Sequence, residues 1–93
     1  MNIDKWLDTL HNNYGLNKEF YLELLPDALE DIENAISYYQ LERISEERFK
    51  HMVKGTAITL YLEDVQKIID DGADIKKLKA CIEEYRSFFA FVV

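Results

Sequence analysis

This 93-residue chain has one cysteine, one proline and three glycines. The single Cys81 excludes an internal disulfide, so packing must hold the fold, as suits a reducing compartment. So few turn-forming residues exclude a chain of many short strands and favour a few long elements. Positive charge is also scarce: 11 Lys and Arg stand against 18 Asp and Glu, for a net charge of −7. Direct nucleic-acid binding, which needs a basic face for the phosphates, is therefore not expected. No apolar run approaches the roughly 20 residues of a membrane span. The opening residues, MNIDKWLDTLHNN, lack the basic-then-apolar pattern of a secretion signal. The expectation is a cytoplasmic protein without membrane association.

What is abundant is apolar and aromatic surface: 48% hydrophobic residues, with six Tyr, five Phe and one Trp. That is enough for one ordinary core, so residues 1–93 read as a single domain. Its period is helical. Ser45 to Gly72 carries Phe49, Met52, Val53, Leu60, Tyr61, Val65, Ile68 and Ile69 at mostly three- and four-residue steps. Ser45 suits an N-cap, Ile44 and Phe49 the two sides of a hydrophobic staple, and Gly72 the left-handed residue that closes a helix. The pattern predicts a long central helix over about 45–71. Its weak place is Gly55, beside β-branched Thr56, Ile58 and Thr59. Residues 56–62 have strand propensity, and a glycine among small residues could admit a close neighbouring helix.

The flanking segments read the same way. Asn2 can cap a first helix with Ile3, Trp6, Leu7, Leu10 and Tyr14 on one face, ended by Gly15. Asn17 can cap a second, from Lys18 to about Leu25, where Pro26 is expected to break it and begin a third that runs to about Leu41. Phe20 belongs to the inner stripe on this reading, and Tyr21 and Tyr38 fall off it. Asp74 caps a last helix carrying Ile75, Leu78, Ile82, Tyr85 and Phe89, with Cys81 and Phe88 flanking that face. The predicted fold is all-α: a compact bundle of four to five helices around the central one.

Catalytic and cofactor patterns are missing. His11 and His51 stand 40 residues apart in sequence, outside any metal-binding spacing. The run from Asp70 to Asp74 resembles the start of a calcium loop, but Cys81 occupies the position of its bidentate glutamate. No glycine-rich phosphate loop or serine elbow occurs. The expectation is a non-enzyme with no cofactor and no metal.

The acidity is uneven. Residues 1–47 hold eleven acids and three bases, a net −8, whereas residues 48–93 carry +1. Glu19, Glu23, Asp27, Glu30, Asp31 and Glu33 cluster on the second and third predicted helices, and Tyr38 lies just beyond. Like charges one turn apart are mildly destabilising, and tyrosine beside acids is common at interfaces. These seven residues are the candidate partner-binding site. The function expected is a small acidic, non-catalytic binding protein that inhibits or regulates a basic partner protein, such as a nuclease or another nucleic-acid-binding protein. Immunity proteins and DNA-mimicking inhibitors offer an analogy of size and charge, with no shared motif. The alternative is a homo-oligomeric helical adaptor, such as a homodimer, joined by the apolar end Phe88 to Val93.

Overall fold

The computed structural model describes residues 3–15 and 18–92, and these form five helices and no strand. They are α1 (Ile3–Tyr14), α2 (Lys18–Gln40), α3 (Glu46–Thr59), α4 (Glu63–Asp70) and α5 (Ile75–Val92). The expected caps Asn2 and Asn17 lie outside the described residues. So do the side chains of Ile3, Trp6, Tyr14 and Phe91 to Val93. The architecture is the all-α bundle that the periodicity implies, but its organising element is α2. That helix packs against α1, α3 and α5, while α4 closes the ring between α3 and α5.

Contrary to the expected break, α2 continues through Pro26. Proline offers no N–H to the Leu22 carbonyl and crowds it, at about 3 kcal/mol. Packing outweighs this. Tyr21 and Leu25 before the proline, and Ala28, Leu29, Ile32, Ala35 and Ile36 after it, are all buried along one stripe. Full burial of a large apolar side chain contributes about 1.5–3 kcal/mol, and continuity places both Tyr21 and Leu25 on that line. The same continuity corrects two expectations. Tyr21 belongs to the core, with its ring centroid 6.5 Å from that of Tyr61, and Phe20 is 54% exposed.

The predicted central helix over 45–71 is two helices. Leu60 and Leu62 are both buried. At 100° per residue they would stand about 200° apart on one helix, and only one could face inward. The chain instead closes α3 with Leu62 N–H donating to the Ala57 carbonyl at 2.8 Å and Tyr61 N–H to the Ile58 carbonyl at 3.2 Å. This is a Schellman closure, normally built on glycine. Here Tyr61 occupies the left-handed position with φ 55°. That conformation costs a non-glycine residue about 1–2 kcal/mol, less than the burial of two leucines returns. The Gln66 amide reaches back to the same Ala57 carbonyl at 3.4 Å, and Lys54 Nζ lies 2.7 Å from Asp70 Oδ1, so side chains of α3 and α4 brace the corner.

Other local readings hold. Ser45 is extended, with φ −72° and ψ 161°, and its hydroxyl accepts from Arg48 N–H at 3.1 Å. Asp74 Oδ1 accepts from the N–H groups of Lys76 and Lys77 at 3.0 and 3.3 Å. Gly15 and Gly72 have φ of 63° and 115°. Gly55 admits no close neighbour: a Cβ built there meets nothing within 4 Å. The end of α2 repeats the Schellman pattern with Glu42 at φ 58°. The core unites all five helices through Leu10, the α2 stripe, Phe49, Val53, Val65, Ile69, Leu78, Ile82 and Tyr85. Phe49 stacks on Tyr39 at 4.7 Å between centroids.

Candidate partner-binding face

Because α2 is one helix, its acids share one axis. With Tyr21, Leu25, Ile32 and Ile36 inward, Glu23, Asp27, Glu30 and Asp31 fall on the opposite face and are exposed. Asn34 and Tyr38, which is 45% exposed, continue that face toward the C-terminal end. Glu19 is exposed at its N-terminal edge. Glu33 is set apart on the α5 side, where Arg86 Nε lies 2.6 Å from its Oε1. The structure thus brings six of the seven expected residues to one side and turns the seventh to a bridge between helices.

Four acids of this face, Glu23, Asp27, Glu30 and Asp31, carry no ion pair among the described residues, whereas Lys50 pairs with Glu46, Lys54 with Asp70 and Arg86 with Glu33. From Glu19 to Asp31 is twelve residues, about 18 Å of helix at 1.5 Å per residue. Five carboxylates over that length approach the one phosphate per about 3.4 Å of a single strand in duplex DNA.

Sequence reasoning missed the apolar component of this surface. Phe20 and Leu24, at 54% and 38% exposure, stand beside the acids. Phasing the helix from Leu29 and Ile32 back through Pro26 would have found them. Two open clefts of about 320 and 350 Å³ run between α2 and α3, and Asp31 and Thr56 line both. Leu24 shares the first with Leu60, and Tyr38 shares the second with Met52. The two helices therefore run antiparallel along the groove.

Two further titratable groups, Cys81 and Tyr85, lie in the core. Burial pushes the Cys81 thiol up to about 11, with Asp64 and Glu84 adding to the effect. Burial likewise raises the Tyr85 phenol, and Cys81 adds to it. Both stay neutral near pH 7, so neither is poised as a nucleophile or base. Among the described residues no group of three or more His, Cys, Asp or Glu could hold a metal ion. No described helix is long and apolar enough to cross a membrane.

The fold and this surface define an all-α bundle with an acidic, partly apolar outer helix face. No family model matches the chain, and no curated protein and no solved structure matches it.

Proposed function

We propose that this chain is a small, acidic, non-catalytic binding protein that inhibits or regulates a basic partner protein through the outer face of α2. The observation that carries this reading is the alignment of Glu23, Asp27, Glu30 and Asp31 on one helix face, with no ion pair to any of them among the described residues. Mutual repulsion along that face is mildly destabilising, and a cationic partner would relieve it. A one-signed field also speeds encounter with an opposite surface, over a Debye length of roughly 10 Å at 0.1 M salt. The charge spacing suits a partner whose basic groups are arranged for phosphates, such as a nuclease. The homo-oligomer reading is weaker, because Phe88 and Phe89 at the apolar end are half-buried within one chain.

The test is capture from the native host at low and high salt, using the wild type and a Glu30→Lys, Asp31→Lys double variant. Both side chains are exposed, so the variant should keep the wild-type circular dichroism. A basic protein held by the wild type at low salt, released at high salt and lost by the variant supports the reading. Equal retention by the variant refutes it.

A further inference from the structure

We infer that the partner presents to this face an amphipathic helix that is basic along one flank only, seated in the groove between α2 and α3. The inference rests on the reading that the outer face of α2 is the binding surface. The two clefts adjoin at Asp31 and Thr56 and extend from Leu24 to Tyr38 on α2. Fourteen residues separate those positions, about 21 Å, the length of a helix of roughly four turns. The floor is apolar, with buried Ala28, Ala35 and Leu60 below and Leu24 at one end, and Asp27, Asp31, Asn34, Thr56 and Thr59 are the polar members of the lining. An extended strand would need a regular ladder of backbone partners, which scattered side chains on two helices do not provide. A helix satisfies its own N–H and C=O groups, and its side chains can fill the groove at i, i+3 and i+4 spacing.

The two walls differ in charge, and that difference decides the ligand's polarity. The α2 wall offers Asp27 and Asp31. The α3 wall offers Met52, Thr56 and Thr59, which carry no charge. The Thr56 hydroxyl donates to the Met52 carbonyl at 3.2 Å and the Thr59 hydroxyl to the Gly55 carbonyl at 2.9 Å, so both hydroxyl donors are already used. Lysine or arginine over α2 meets carboxylate. Over α3 it would exchange its hydration for neutral hydroxyl oxygens alone, a weaker partner than carboxylate. One basic flank, one apolar stripe and one neutral flank is the pattern the groove selects.

The experiment titrates the full chain with two labelled 18-residue peptides of identical composition, followed by fluorescence anisotropy. One places leucines in a helical stripe and lysines on a single flank; the other shuffles the same residues. The striped peptide should bind at least about tenfold more tightly, as expected from seating one or two leucines. Leu24→Ser should lower its affinity to that of the shuffled peptide, whose own affinity stays unchanged. Asp27→Asn with Asp31→Asn should weaken both peptides and flatten their salt dependence. All three positions are exposed, and unchanged circular dichroism shows that the variants fold. Equal affinity for the two peptides, with salt dependence intact, overturns the groove and leaves the acidic face standing. Failure of both peptides to bind at low salt overturns both readings.

Discussion

Replacing Gly55 by alanine should stabilise this protein by about 1 kcal/mol, the difference in helix propensity between the two residues. Gly55 lies inside α3, five residues from its C-terminal cap, and is exposed. An added Cβ meets nothing within 4 Å, so the methyl group neither clashes nor gains burial. The Thr59 hydroxyl bonds to the Gly55 carbonyl, which the substitution keeps. For a domain of this size 1 kcal/mol corresponds to a Tm increase of roughly 4–8 °C. With a urea m-value of about 1–3 kcal/mol/M, the denaturation midpoint should rise by about 0.3–1 M at constant slope. The same substitution at Gly72 provides the contrast. That residue has φ 115°, where a side chain is strained, so Gly72→Ala should destabilise by about 1 kcal/mol or more. Thermal and urea unfolding of the two variants should therefore move in opposite directions. A lowered or unchanged midpoint for Gly55→Ala would refute a helical, open Gly55, and with it the continuity of α3 to Thr59.

Glu42 is exposed and left-handed at the end of α2, so Glu42→Gly should raise stability by about 0.5–1 kcal/mol in urea unfolding; a loss would mean that Glu42 makes a contact outweighing its strain. Leu62→Ala should cost about 2–5 kcal/mol, because Leu62 is fully buried at the α3–α4 corner; a cost under 1 kcal/mol would show that the corner does not depend on it. Cys81 titrates at about 11 in the fold against an ordinary 9.0. The unfolded thiol ionises first, so its contribution is present below pH 9 and lost as pH rises toward 11. Stability measured by urea unfolding should fall across that window more steeply in the wild type than in Cys81→Ala, and equal slopes would contradict the burial of the thiol.

The chain's local chemistry determined the class of fold and most helix ends. Ser45, Asp74, Gly15 and Gly72 are legible because a cap or a left-handed closure depends on residue type and on neighbours a few positions away. The stripe of α5 is legible for the same reason, as are Leu7 and Leu10 of α1, since a 3.6-residue period is a local property. The acidic residues of the candidate face were visible as a charge bias, and their bias toward one side of the third predicted helix as a periodicity. What the sequence could not give was their common axis. Pro26 signals a break, and only the burial of Tyr21 and Leu25 in line with Leu29 and Ile32 makes one helix of two expected segments. The reverse happens at Tyr61, inside the 56–62 stretch of strand propensity, where no glycine or proline marks a helix end. Leu60 and Leu62 must both reach a core formed by α2 and α5, and that shared demand bends the chain into a conformation tyrosine does not favour. Tertiary structure decided both junctions, because several kilocalories per mole of apolar burial outweigh one missing hydrogen bond or one strained dihedral. It thereby set Glu33 against Arg86, apart from the other acids, and placed Leu24 beside the groove with α3.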